Sequence, residues 1–175
     1  MATALQGDGC ECVCNWKKDY GCSTADEGSE LRSELCWSSM IGILFLCVSN
    51  SARSQMAEGL ARARYGSRVR VFSAGSVPST VNPLAVAVLS EIGIDISSHE
   101  SKGFETVDPA SIDVVVTLCA NEVCPMFLGS ARQLHWPLED PGKLGATTTE
   151  RLQQFRSVRD EIARRIRTLD VEVGL

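Results

Sequence analysis

The chain has 175 residues, of which 44% are hydrophobic, and its formal net charge is −5. This length and composition suit one domain with a substantial core, and the mild negative charge argues against a nucleic-acid-binding protein. The longest apolar run, Ile41 to Val48, is too short to cross a membrane, and the acidic N-terminus lacks the apolar stretch of a signal peptide. We therefore expect a cytoplasmic protein without membrane contact, in which the 8 cysteines serve thiol chemistry or metal binding.

Residues 1–39 differ in composition from the rest of the chain. They contain five of the eight cysteines and carry 3 basic against 7 acidic residues, a net charge of −4, without helical or strand periodicity. We predict a cysteine-rich, disordered extension, or a start site assigned too early, with the folded domain spanning residues 40–175. An alternative is that Cys10, Cys12 and Cys14 bind a soft metal ion, because thiolates select such ions.

The domain opens with a strand, a short loop and a helix. The apolar run from Ile41 to Leu46 is typical of a buried strand, and Met56, Ala57, Leu60 and Ala61 recur at helical spacing. Between them lies a C-x5-R motif, from Cys47 to Arg53. The spacing alone is weak evidence, but here the cysteine ends a strand and the arginine begins a helix.

This loop has the composition of an oxyanion site. Backbone amides curled at a helix N-terminus can bind a tetrahedral anion, and an arginine can hold two of its oxygens. A cysteine at the same place is stabilised as a nucleophilic thiolate. The predicted binding residues are Val48, Ser49, Asn50, Ser51, Ala52, Arg53 and Ser54, with Cys47 as the nucleophile.

Further strands and helices alternate along the remaining chain. The patterns predict strands at 69–73, 113–118 and 133–136, and helices at 82–92 and from a capping box at Thr147 to about Leu169. Such alternation favours a four-stranded parallel α/β sheet flanked by helices. Ligands of such sheets bind beyond the carboxyl ends of the strands, where Cys47, Cys119 and Asp140 all fall. With strand order 2-1-3-4, Cys119 would approach Cys47.

From residue 41 to about residue 168, the chain resembles the low-molecular-weight protein tyrosine phosphatase superfamily, and within it the thioredoxin-coupled arsenate reductases. The resemblance lies in segments that follow one another in the family's order: CVSNSARSQMAEG, VFSAG, NPLAV, IDISSHESK, VVVTLCANEVCP and HWPLEDP. The last two segments distinguish a reductase from a phosphatase. A reductase needs two further cysteines beside the loop cysteine, and the segment VVVTLCANEVCP contains two. The resemblance implies the low-molecular-weight phosphatase fold with strand order 2-1-3-4.

The resemblance also implies a role for each site residue. Cys47 would attack arsenate held by Arg53 and the loop amides, while Asn50, Ser51 and Ser54 order the loop. Asp140 would protonate the departing oxygen. Cys119 and Cys124 would form the redox pair, which thioredoxin or a similar thiol reductant restores. We expect a monomer without a cofactor.

Two alternatives remain open from the sequence. Cys47, Arg53 and Asp140 alone would suffice for a phosphotyrosine phosphatase, although Gly142 stands where such phosphatases carry a tyrosine. A thiol-based arsenite- or metal-binding protein would use Cys10, Cys12 and Cys14. Several relatives bind potassium near the loop, but Lys102 occupies the position of an acidic residue of that site, so we expect no bound metal.

Overall fold

The computed structural model describes residues 40–120, 130–145 and 147–173. Cys124 and the extension at residues 1–39, with Cys10, Cys12 and Cys14, lie outside the described residues. The elements, in chain order, are β1 (Ile41–Cys47), α1 (Arg53–Tyr65), β2 (Val69–Gly75), α2 (Pro83–Ser90), β3 (Val114–Cys119), β4 (Arg132–Leu138) and α3 (Thr148–Val173). The predicted alternation of strands and helices is confirmed.

The four strands form one parallel sheet in the order β2-β1-β3-β4, as predicted. In β1, Cys47 pairs with Gly75 of β2, while Leu46 pairs with Thr117 of β3. Because all strands run in one direction, their carboxyl ends meet at one edge of the sheet. Cys47 and Cys119 therefore end two neighbouring strands.

The main core lies between one face of the sheet and the three helices. Its largest fully buried side chains include Phe45 of β1, Met56 of α1, and Phe155 and Ile162 of α3. The opposite face carries a smaller cluster in which Leu44 and Leu46 are also inaccessible to solvent. β1 is thus buried on both faces, which explains its continuous apolar sequence.

The helix ends differ slightly from the predicted bounds. α2 ends at Ser90 rather than Ile92, because the amides of Gly93 and Ile94 bond back to Ser90 and Leu89 in a closing turn. Gly93 has a φ of 78°, which favours glycine at this position. The capping box of α3 is confirmed: Glu150 N donates to Thr147 Oγ1 at 3.2 Å, and Thr147 N donates to Glu150 Oε2 at 3.0 Å.

Candidate active site

The loop between β1 and α1 turns its carbonyl groups outward. These carbonyls accept hydrogen bonds of 2.8–3.2 Å from the surrounding backbone: Val48 from Val77, Ser49 from Ser79, Ser51 from Asn82, and Ala52 from Met56. Among the described residues, no group accepts a hydrogen bond from the amides of residues 49–52. No side chain caps the N-terminus of α1 at Ala52 either. Amides without a protein acceptor and an uncapped helix start are the features that an anion-binding cradle requires, and anion binding by this loop stays a prediction.

Asn50 determines the shape of this loop. Its backbone is left-handed, with a φ of 45°, and its side chain is completely buried. The Asn50 amide nitrogen donates to Ser54 Oγ at 2.9 Å and to Ser73 Oγ at 2.8 Å. Its Oδ1 accepts from Gln55 Nε2 at 2.9 Å and from the Lys102 backbone amide at 2.8 Å. All the hydrogen-bonding capacity of this side chain is therefore used to hold the loop.

The position of β2 also constrains the loop. A Cβ atom on Gly75 would lie 2.5 Å from the Val48 carbonyl oxygen and 2.7 Å from the Asn50 amide nitrogen. Only glycine allows β2 to pass this close to the cradle. Ser49 and Ser51 lie on the same loop, and their hydroxyl groups hydrogen-bond at 2.9 Å.

Cys47 lies at the base of the cradle with its sulfur 3.0 Å from Ser54 Oγ. Because Ser54 Oγ already accepts a hydrogen bond from Asn50, its own hydrogen is available to the sulfur. The structure thus joins Cys47, the predicted nucleophile, to Ser54 and Asn50, two of the residues predicted to order the loop.

Arg53 is buried, with only 3% of its side chain exposed. One guanidinium nitrogen donates to the carbonyl of Leu138, the last residue of β4, at 2.9 Å. Another lies 3.7 Å from Asp140 Oδ2. The arginine therefore links the cradle at the end of β1 with the segment after β4 that carries the predicted acid.

Asp140 precedes a short 3-10 turn, Pro141–Lys143, and its Oδ1 accepts the Gly142 amide at 3.0 Å. Together with Arg53 it lines a cavity of about 310 Å³, whose wall also includes Ala120. A carboxyl group at this place can give a proton to an oxygen leaving the cradle.

Cys119, the last residue of β3, is 1% exposed and belongs to the same buried cluster as Cys47. Neither Cys47 nor Cys119 forms a disulfide in this structure. Because β1 and β3 are adjacent and parallel, Cys47 and Cys119 lie at the same edge of the sheet, as a disulfide between them requires. The predicted convergence of Cys47, Cys119 and Asp140 at one sheet edge agrees with these positions.

Sequence reasoning missed the residues that support the loop from outside. Gln55 Nε2 donates to the Asn50 carbonyl at 3.2 Å and to the Glu100 carbonyl at 2.9 Å, and Gln55 Oε1 lies 2.9 Å from His99 Nδ1. Since Gln55 Oε1 is an acceptor here, His99 carries its proton on Nδ1. Ser101 Oγ donates to the Ser49 carbonyl at 3.0 Å. The segment from His99 to Lys102 is thus a clamp on the loop.

The contacts of Lys102 bear on the expectation that no metal is bound. Its ammonium group lies 3.4 Å from Glu58 Oε2, and Glu58 also pairs with Arg62 and accepts a hydrogen bond from Ser73. The buried carboxylate already has two cationic partners, so the residues present do not fit a further cation. Among the described residues, no cluster of histidine, cysteine or carboxylate side chains has an arrangement that could hold a metal. Independence from potassium stays a prediction.

His99 is expected to make folding stability depend on pH. Burial lowers its pKa from the ordinary value of 6.5, and the neighbouring Arg62 and Lys102 lower it further against the opposing charges of Glu58 and Asp95. The folded state therefore favours the neutral ring. This contribution is complete above about pH 6.5 and is lost as the pH falls through the lowered pKa.

His99→Asn provides the comparison, because the asparagine amide can still donate to Gln55. Urea unfolding of both proteins at pH 7.5 and pH 5.0 measures the difference in their free energies of unfolding. We expect the substitution to destabilise the protein more at pH 7.5 than at pH 5.0. An equal cost at both pH values, or a greater cost at pH 5.0, would contradict this assignment.

The chain belongs to the low molecular weight phosphotyrosine protein phosphatase family, whose model matches residues 42–174. Its relatives include an arsenate reductase from Halalkalibacterium halodurans, 45% identical over 128 residues that cover 72% of this chain and 92% of the relative. The arsenate reductase of Bacillus subtilis is 42% identical and covers 71% of this chain and 91% of the relative.

Solved structures that are similar to this chain also include arsenate reductases. An arsenate reductase in a phosphate-binding state superposes with a TM-score of 0.64 and 34% identity, over 76% of this chain and 98% of the other. A thioredoxin-dependent arsenate reductase from Corynebacterium glutamicum gives a TM-score of 0.59 and 31% identity, over 82% of this chain and 71% of the other. None of the helices in the described ranges has the length and apolar character that crossing a bilayer requires.

Proposed function

We propose that this chain is an arsenate reductase that transfers two electrons from its own cysteines to arsenate and is reduced again by thioredoxin. The observation that carries the proposal is the position of Cys119, at the end of the strand next to the one that ends at Cys47. Oxyanion binding and displacement at phosphorus need one cysteine, whereas reduction needs a second. The similarity to arsenate reductases supports this choice.

In the first step, arsenate binds with its oxygens on the amides of residues 48–52 and on Arg53. The Cys47 thiolate attacks arsenic, a sulfur–arsenic bond forms, and one arsenate oxygen leaves. Asp140 donates the proton that allows this oxygen to leave as water. Ser54 Oγ lies 3.0 Å from Cys47 Sγ and holds the sulfur in place for the attack.

In the second step, Cys119 provides the reduction. Its thiolate attacks Cys47 Sγ, forming a Cys47–Cys119 disulfide and breaking the sulfur–arsenic bond. The electron pair of that bond remains on arsenic, so arsenic(V) leaves as arsenic(III) in arsenite while two thiols become one disulfide. Cys124 then attacks Cys119, releases Cys47, and leaves a Cys119–Cys124 disulfide for thioredoxin to reduce.

A phosphatase is the second candidate, because the family model describes phosphotyrosine phosphatases and Cys47, Arg53 and Asp140 suffice for ester hydrolysis. Gly142 follows the Asp140-Pro141 pair, where phosphatases of this type carry a tyrosine. We therefore treat ester hydrolysis as a slow side activity. The third candidate, a thiol-based arsenite- or metal-binding protein, depends on cysteines outside the described residues.

A coupled assay separates these functions. Purified protein is supplied with arsenate, thioredoxin, thioredoxin reductase and NADPH, and NADPH oxidation is followed with and without arsenate. We expect continuous turnover that requires every component. Ester hydrolysis without arsenate-dependent NADPH oxidation would favour the phosphatase, and arsenite binding without either activity would favour the binding protein.

We further propose that the active unit is a cytoplasmic monomer formed by residues 40–175. A chain that begins at Met40 is expected to fold and to retain full arsenate reductase activity, because every described element and every site residue follows Met40. Met40 itself is kept because its carbonyl accepts hydrogen bonds from Arg70 at 3.0 and 3.2 Å. Turnover and metal content of both chain lengths test this expectation. Loss of most of the rate on truncation, with a stoichiometric metal in the full-length chain, would contradict it.

A further inference from the structure

The cavity beside the oxyanion loop has charges of both signs on its walls. The carboxylates of Glu139 and Asp140 line it together with the cations of Arg53 and Lys143. Arg53 is buried, whereas 69% of the Lys143 side chain is exposed. Glu139 is exposed and Asp140 is partly exposed. An oxyanion that enters the cavity therefore passes these carboxylates before it reaches the buried guanidinium.

Arg53 also has a competing partner. Its guanidinium lies 3.7 Å from Asp140 Oδ2. An oxyanion in the cradle competes with that carboxylate for the same guanidinium. The Lys143 ammonium lies 3.9 Å from the same Asp140 oxygen. While Asp140 is ionised, it thus keeps a cationic partner when Arg53 turns to the oxyanion, and it takes up a proton before it acts as the acid.

We propose that Lys143 is a further substrate-binding residue, which attracts the incoming oxyanion at the cavity entrance and pairs with Asp140 so that Arg53 is released to bind the oxyanion. The proposal rests on the proposed function only in taking a tetrahedral oxyanion as the ligand. Lys143 makes and breaks no bond. Its contribution is electrostatic and partly exposed to solvent, so it must weaken as salt screens the charges.

The test uses inorganic phosphate, whose binding is measured by calorimetry without any turnover. At low ionic strength, Lys143→Gln is expected to raise the Kd of phosphate and the KM of arsenate by about threefold to tenfold, while kcat changes less than about twofold. Lys143→Glu is expected to have a larger effect, and Lys143→Arg is expected to restore binding. In about 0.5 M salt, where the Debye length is only a few ångströms, the difference between the proteins is expected to shrink.

Arg167→Gln is the matched control, because it removes the same charge from an exposed position in a separate groove between α1 and α3. We expect this control to bind phosphate like the wild type. An unchanged Kd in Lys143→Gln, or an equal rise in Arg167→Gln, would overturn the proposal. So would a fall in kcat with unchanged phosphate binding, which would indicate that Lys143 only places Asp140. Because phosphate binding needs no reduction, these outcomes are independent of whether the chain reduces arsenate.

Discussion

Replacement of Cys47 by serine is expected to abolish arsenate reduction and phosphate-ester hydrolysis together, by at least about 10³-fold. A serine hydroxyl is not ionised at neutral pH, so the attacking group is lost. A serine oxygen also cannot form the disulfide that supplies two electrons. The measurement is the initial rate of both reactions with the purified variant.

Two controls separate the loss of the nucleophile from damage to the site. Phosphate should still bind to Cys47→Ser, because the amide cradle and Arg53 are intact. Ser54→Ala keeps the thiol and removes one hydrogen bond to it, which is expected to slow both reactions by about tenfold. Residual activity above a few per cent in Cys47→Ser would mean that another residue is the nucleophile.

Replacement of Cys119 by serine is expected to separate the two activities. The oxyanion cradle, Cys47 and Asp140 remain, so ester hydrolysis should continue at a rate within a few-fold of the wild type. Arsenate turnover with thioredoxin should stop, because the sulfur–arsenic adduct lacks the thiol on the neighbouring strand that attacks Cys47 Sγ. Ester hydrolysis and arsenate-dependent NADPH oxidation are measured on the same preparation.

Cys119→Ala is the companion variant, because a serine hydroxyl at this buried position could itself disturb the core. Both variants are expected to show the same pattern. Continued arsenate reduction by either of them would replace the proposed cascade with a mechanism that uses Cys47 alone and an external low-molecular-weight thiol. Loss of ester hydrolysis in both would show that Cys119 supports the site structurally.

The strand, loop and helix at the site could be predicted because the local pattern changes period there. Apolar residues run continuously to Leu46 and then recur at helical spacing from Met56, with the C-x5-R motif between. The capping box at Thr147 gave the start of α3 for the same reason, since its two hydrogen bonds join residues three apart. Both features depend on residues that lie close together in the sequence, which is why they could be predicted.

β4 is longer than the sequence indicated, and its position in the sheet explains why. The predicted strand covered residues 133–136 and stopped before Pro137, which lacks an amide donor, whereas β4 spans Arg132–Leu138. β4 is the edge strand beside β3, and Pro137 is exposed there. Proline is tolerated at a sheet edge. The two additional residues at its C-terminal end, Pro137 and Leu138, bring the Leu138 carbonyl to Arg53.

The clamp around the loop could not be predicted, because its contacts join residues far apart in the chain. Gln55 and Glu100 are separated by 45 positions, and Asn50 and Lys102 by 52. The first turns of α1 are also buried despite their polar residues, since Arg53, Ser54, Gln55 and Glu58 are all nearly inaccessible. A prediction from hydropathy alone would put such polar residues at the surface. In the structure they are buried because each one has a polar partner inside the site.

The most direct test of the central claim is the stoichiometry of a single turnover. Fully reduced protein is mixed with excess arsenate under anaerobic conditions, without thioredoxin or any added thiol, and both arsenite and protein thiols are counted. The proposed mechanism predicts one arsenite released and two thiols lost per chain, with the disulfide mapped by mass spectrometry to Cys119 and Cys124. Absence of arsenite, or arsenite that forms only when a small external thiol is added, would contradict it.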